Sequence, residues 1–420
     1  MFDRNVKLLL SGTFLFGIAF SFFMLFFNLY LRELGVEVLG MTETDSYRFV
    51  GNANSIAQLA VGLLALPAGY IAVRFRQKWI FIIAQIGQSI FFALAICLES
   101  EGAVYLTLAV AGICTAFARV IAGPFIMRNS TPKERTYIFS IHFILMLASG
   151  VIGNIGAGAL REALLGLDLN SLEAYRATLV VGFGLGFLGV VPYFFIRSFK
   201  PTAEDTKQLS FGNITKWNWS FFGKALLPSA MLSIGSGLIV QFLNLYFRDV
   251  FDSSDKSISF YMAAQQITMV LGLLLAPALA EKFGKVNTIV LSQLLSIPFM
   301  AILAFTGQIE IAFVAFIMRA ALMNMSMPVS HTMLMELCRK SEQGILSAFF
   351  ILQWTTSWAI AAQIFGTLLG EDKNYFRVFA IAIILYFVST ILYYVFFKDS
   401  EKDIGDEEVV EDVLKPKEAV

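Results

Sequence analysis

Runs of about twenty apolar residues recur from one end of this chain to the other, and no other feature restricts its fold so severely. Leu8 to Leu31, Trp79 to Leu98 and Phe376 to Phe397 carry few or no charges. About 20 residues at 1.5 Å rise cross the hydrocarbon core of a bilayer as a helix, and only a helix satisfies its own backbone there. With 57% hydrophobic and 15% charged residues, a soluble fold could not hide the apolar surface.

Apolar windows bounded by charges give about twelve spans: 7–31, 49–73, 79–98, 103–127, 137–160, 177–196, 225–247, 258–280, 286–305, 311–335, 345–369 and 376–397. The longest gap falls in the middle and carries Arg197, Lys200, Glu204, Asp205, Lys207 and Lys216. The expected organisation is a six-helix half over 1–197, a linker over 198–224, a second six-helix half over 225–397 and an acidic tail over 398–420.

The two halves are copies. Phe27 to Leu34 (FNLYLREL) returns 216 positions later as Leu243 to Val250 (LNLYFRDV), and GLLALP at 62–67 returns as GLLLAP at 272–277. Internal repeats of this size characterise secondary transporters whose site lies between the repeats.

Orientation follows from positive charge, which is in excess on cytoplasmic loops. Of 31 Lys and Arg, 21 fall on the side of the N-terminus, 8 on the opposite side and 2 within spans. Both termini and the linker are expected in the cytoplasm, in a multi-pass protein of the plasma or inner membrane. No cleavable signal is visible, so the first span is expected to stay as a helix. Cys97, Cys114 and Cys338 are too scattered for a disulfide framework.

Between the second and third spans the chain reads Gly69-Tyr-Ile-Ala-Val73-Arg74-Phe-Arg76-Gln77-Lys78, and between the eighth and ninth Pro277-Ala-Leu-Ala-Glu281-Lys282-Phe-Gly284-Lys285. These two stretches, with the twelve spans, the central linker and the repeat, resemble the major facilitator superfamily over the whole chain apart from the tail. The resemblance implies an all-α membrane protein of twelve helices in two pseudo-symmetric halves. It also implies a cytoplasmic latch made by Arg74 and Lys78. Val73 stands where the family has an acid, which makes Glu281 the candidate for the latch carboxylate. As plain chemistry, such cations also anchor helix ends on the cytoplasmic side.

Helices 1, 4, 7 and 10 line the central cavity in proteins of this resemblance, and two of them carry an arginine inside the span, Arg119 and Arg319. Each costs about 2.5 to 3.5 kcal/mol at a helix centre, and no Asp or Glu occurs mid-span to pair with them. A carboxylate or phosphate on the substrate would match the planar guanidinium fork. Against this stands internal satisfaction by carbonyls, Asn or water. Asn28, Asn244 and Gln241 are the neutral contacts expected beside the arginines. Interhelical hydrogen bonding is the commoner use of such residues.

Arg32, Glu33, Arg248 and Asp249, within the repeated motif, sit at the outer boundary and are candidates for an external gate. His142 and His331 are the candidates for a coupling proton, since imidazole titrates near neutral pH. Arg119-Val-Ile-Ala-Gly123 resembles the pattern of proton-coupled exporters, but Asn154 replaces the proline of the exporter signature on helix 5.

Gly184-Leu-Gly186-Phe-Leu-Gly189 fits a nucleotide-loop pattern, yet it lies inside the sixth span with no strand before it. There is no catalytic or metal-ligand spacing, so no enzyme, cofactor or metal is expected, and no nucleic-acid partner. The reading is a monomeric secondary active transporter of a small organic solute, anionic if the arginines meet it, working by alternating access with the bilayer and a coupling proton or ion as partners. The alternatives are a proton-coupled multidrug exporter and, in a different class, a lipid-flipping protein or a non-transporting receptor on the same scaffold.

Overall fold

The computed structural model describes residues 3–130, 132–197, 217–339 and 342–400. The first half holds α1 (Arg4–Glu37), α2 (Glu43–Arg74), α3 (Gln77–Cys97), α4 (Glu101–Arg128), α5 (Pro132–Leu165) and α6 (Ser171–Phe194). The second holds α7 (Trp219–Val240), α8 (Leu243–Phe251), α9 (Asp255–Phe283), α10 (Lys285–Phe305), α11 (Ile309–Leu337), α12 (Gln343–Leu369) and α13 (Tyr375–Phe397). Most of the expected linker, and the tail beyond Ser400, lie outside the described residues.

Polar residues at the apolar boundaries start the helices. Asp3, Thr42, Ser100, Asn218, Ser254 and Asn374 each accept from a backbone N–H of the first turn, and Asn170 with Glu173 forms a capping box. Gly284, at φ 83°, ends α9 where an L side chain would be strained.

Among the described residues, eleven helices are long and apolar enough to cross a membrane. Helix α2 is not one of them. It joins the far end of α1 to the near end of α3 and so crosses as well, over the expected span 49–73, part of which has side chains outside the described residues. The expected seventh span is divided: α7 stops at Val240 and α8 resumes at Leu243. Leu63, Ile83, Leu106 and Leu274 point outwards and are well exposed, as side chains facing acyl chains should be.

The chain thus forms twelve membrane crossings in two six-helix halves. One face carries the N-terminus and the end of α13, and is called the terminal face; the other is the far face. Within each half the repeat is structural as well as textual. The Tyr30 hydroxyl donates to the Ile96 carbonyl at 2.5 Å, and its counterpart Tyr246 donates to that of Leu303 at 2.6 Å.

The halves meet along α2 with α12 and α5 with α9. Small residues make that contact possible. A Cβ on Gly51 would lie 2.4 Å from the Ala362 carbonyl oxygen, one on Gly366 2.7 Å from the Arg48 Cα, and one on Gly158 2.2 Å from the Ser259 hydroxyl.

The apolar core shows how the halves are tilted. Around the far face one continuous cluster takes in both, from Phe26, Tyr47 and Phe183 to Phe242, Phe316 and Phe365. Towards the terminal face it divides: Val6, Phe81, Phe125 and Tyr193 pack only within the first half, and Phe222, Ile289, Leu334 and Tyr393 only within the second. One core on the far side and two on the terminal side describe a pair of bundles pressed together at one end and parted at the other.

Candidate functional site

The parting of the cores defines an opening towards the terminal face, closed at its far end by polar contacts on two levels. The inner level is a clasp between asparagines. Asn28 on α1 donates to the Gln241 carbonyl at 2.6 Å, and Asn244 on α8 donates to the Leu25 carbonyl at 2.8 Å. Each asparagine therefore reaches the carbonyl three residues before the other, as the internal repeat permits.

The clasp also repairs the break between α7 and α8. A helix end leaves backbone carbonyls and N–H groups without partners, at high cost in a membrane. Here Asn28 supplies the Gln241 carbonyl, the Asn244 side chain accepts from the Leu245 N–H at 2.9 Å, and the Gln241 amide donates to the Gly237 and Trp358 carbonyls at 3.0 and 3.1 Å. Asn54 on α2 donates to Asn28 at 2.8 Å. Asn28, Asn244 and Gln241 are buried and satisfied by one another and by backbone, so in this conformation they close the opening and do not present free polar atoms to it.

The outer level is built on two aspartates. Asp249 accepts from the hydroxyls of Tyr47 and Tyr375 at 2.7 and 2.6 Å and lies 3.7 Å from Arg32. Asp255 accepts from the Tyr175 hydroxyl at 2.7 Å, pairs with Arg161 at 2.8 Å and is in contact with Arg248. Arg161 is 2% exposed and its guanidinium lies over the Tyr175 ring, 3.4 Å from the centroid. Arg32 and Lys373 both reach Glu43, and Lys256 reaches Glu162 at 3.1 Å. Glu33 accepts from Ser171 at 2.9 Å.

Most of these pairs join one half to the other. Among the described residues, every hydrogen bond and ion pair that crosses between halves lies at the level of the asparagine clasp or farther out.

At the terminal face the polar contacts among the described residues stay within a half. Lys78 donates to the Phe194 carbonyl at 2.7 Å and Lys285 pairs with Glu336 at 2.5 Å. Glu281 is exposed with no ion pair among the described residues, and the acid beside Lys285 is Glu336 on α11. The side chain of Arg74 lies outside the described residues. His142 is half-buried and His331 exposed, its ring 6.2 Å from that of Phe350. The two are on different halves, and no described contact links either to the clasp.

The two intramembrane arginines part company. Arg319 on α11 is 2% exposed, donates to the Tyr386 hydroxyl of α13 and lies 5.6 Å from that ring's centroid, inside the second half. Arg119 on α4 has protein around it on all sides and is nonetheless exposed, which puts its head in the internal opening and not against lipid. It makes no hydrogen bond or ion pair among the described residues. Trp354 and Trp358 on α12, with ring centroids 5.3 Å apart, and Gln353, bonded to Ser229 at 2.9 Å, add aromatic and polar surface in the second half. The arrangement suits reversible capture of a solute with at least one anionic group.

Asp255, Arg161, Tyr47, Tyr175 and Tyr375 carry no local motif that marks them. Tyr175 and Tyr375 do stand 200 positions apart, each near the start of the last helix of its half. That spacing is the signal that points to these tyrosines, beside the repeated motif that marks Arg32, Glu33, Arg248 and Asp249.

A family model described as Major Facilitator Superfamily matches residues 9–254 and 225–419. The chain is 25% identical over 324 residues to the multidrug resistance protein MdtG of Dickeya zeae (strain Ech586), covering 76% of each. A bacterial homologue of the iron transporter ferroportin in its inward-facing state superposes with a TM-score of 0.73 at 14% identity, covering 94% of this chain and 98% of the other. The outward-facing state gives 0.63 at 16% identity, covering 94% and 99%.

Proposed function

This chain belongs to the major facilitator superfamily, and on that premise we propose that it is a secondary active transporter, moving a small organic anion across the membrane by alternating access. The carrying observation is Arg119, a guanidinium exposed in an internal opening with no partner among the described residues. Holding an unpaired cation there costs several kcal/mol, and a substrate carboxylate or phosphate offsets that cost with charge-assisted, bidentate hydrogen bonds.

The excess of Lys and Arg on the terminal face supports a cytoplasmic assignment for that side, with both termini and the linker inside the cell. The conformation described is then open to the cytoplasm and closed outside. An anion leaving the cell uncoupled would gain about 2.3 kcal/mol per charge per 100 mV of interior-negative potential, so the potential favours export and opposes import. A proton-coupled multidrug exporter is the second reading, favoured by the similarity to MdtG and by Arg119-Val-Ile-Ala-Gly123; Asn154, in place of the exporter signature's proline, counts against it.

Thermal-shift measurements on the purified protein distinguish the two. Organic anions should stabilise the wild type, and Arg119→Gln should weaken their binding about 10- to 100-fold, the equivalent of one charge-assisted hydrogen bond. Arg319→Gln, which alters a buried Tyr386 contact, should lower the melting temperature without changing anion selectivity. Stabilisation by lipophilic cations that survives Arg119→Gln would favour the exporter and sink the anion site.

A further inference from the structure

Within the outer level of the far seal, Glu33 is held differently from the two aspartates. Its Oε1 accepts from the Ser171 hydroxyl at 2.9 Å, while Oε2 is buried and receives no hydrogen bond among the described residues. Ser171 in turn accepts from Arg161 at 2.8 Å, which commits its one proton to Glu33. The charged and titratable groups around the carboxyl are Glu37 on α1, Arg161 on α5, Tyr175 on α6, Arg248 on α8 and Asp255 on α9. Of the two arginines, both are engaged by Asp255.

We propose that Glu33 is a proton-binding site, and that the proton it holds keeps the far mouth closed by leaving Arg161 to Asp255. A buried carboxylate with one oxygen unsatisfied is costly when ionised and much less so when protonated. Arg161 is one hydroxyl removed from Glu33, and both belong to the first half, whereas Asp255 belongs to the second. When Glu33 loses its proton, its carboxylate competes with Asp255 for Arg161. If Arg161 turns to Glu33, a buried cross-half pair is exchanged for a pair within one half, and the halves are free to part. Proton uptake reverses the exchange: Oε2 becomes a hydroxyl, Arg161 returns to Asp255, and the mouth closes. No oxidant, metal or covalent step is involved. The proton comes from water on the far side and goes back to it.

This inference rests on the alternating-access reading, and one experiment separates the two. Spin labels at Gly102→Cys, at the start of α4, and Gly307→Cys, before α11, report the width of the far mouth; a Cβ at either position meets nothing within 4 Å. Cys97, Cys114 and Cys338 are replaced by serine. Distance distributions are then recorded between pH 5 and 9 in lipid nanodiscs. The expected result is a short distance in acid that gives way to a longer one as pH rises. Glu33→Gln should hold the short distance at every pH, and Ser171→Ala, which takes away the carboxylate's donor, should move the midpoint up by about one unit. A pH response of unchanged midpoint in Glu33→Gln would overturn the proton site and leave alternating access standing. Distances that never change with pH would overturn it too, and if organic anions still switched them, alternating access would again survive.

Discussion

At the far mouth Asp249 and Asp255 gather tyrosines and arginines from both halves, whereas at the terminal mouth Lys78 and Lys285 spend their charge on partners in their own half. The two mouths are built from similar residue types and differ in where the partners come from. A contact that crosses the interface holds a conformation; one that stays within a half holds only that half together. The closed far mouth of this conformation is therefore held by far-mouth residues, and substitutions at the two ends should have unequal effects on it.

Asp255→Asn should act most strongly. It leaves Arg161 buried beside Tyr175 without its carboxylate, and breaking one member of a buried pair costs about 3 to 5 kcal/mol. That is enough to invert the conformational equilibrium, seen as conversion of the Gly102–Gly307 label distance to the long form. A short distance retained in this variant would break the comparison, because the seal would then not depend on the pair.

The asparagine clasp comes next. Asn28→Ala and Asn244→Ala should each widen the far mouth by a shift of about 1 kcal/mol, since interhelical hydrogen bonds in membranes average about 0.6 kcal/mol and reach about 1.7. The two side chains complete one reciprocal arrangement, so the double variant should show less than the sum of the single effects in a double-mutant cycle. Strict additivity would mean that the two bonds are independent and that the clasp is not a unit.

The smallest effect belongs to Lys285→Ala. Its pair with Glu336 is partly exposed on both sides, and such pairs contribute about 0 to 1 kcal/mol. The label distance should not change. A shift comparable to that of Asn28→Ala would show that the terminal mouth has cross-half contacts of its own.

How much of this the sequence discloses differs between elements, for physical reasons. Apolar runs and capping residues mark the helices because both act within a few residues of chain, and the repeat pairs Asn28 with Asn244 by position. The break after Val240 is invisible, since Gln241 and Phe242 are ordinary helix residues and the side chains that make the interrupted backbone tolerable, above all Asn28 across the interface, are assembled only by the fold. Arg161 reads as the charged end of a helix; its burial follows from the docking of α5 on α9, which no local pattern records. Arg119 and Arg319 look equivalent in the sequence, each an arginine within a span. They differ because Tyr386, 67 positions from Arg319, lies across from it on α13, while Arg119 has no such tyrosine among the described residues.

The most direct test of the account is the sidedness of position 119. With the native cysteines removed, Arg119→Cys is treated with a charged, membrane-impermeant thiol reagent applied to one side of sealed vesicles of known orientation. The thiol should be modified from the cytoplasmic side and spared from the outside, and adding Asp255→Asn should open it to the outside reagent. Modification of the single variant from the outside alone, or from neither side, would contradict an arginine that waits in a cytoplasm-facing opening behind a closed outer seal.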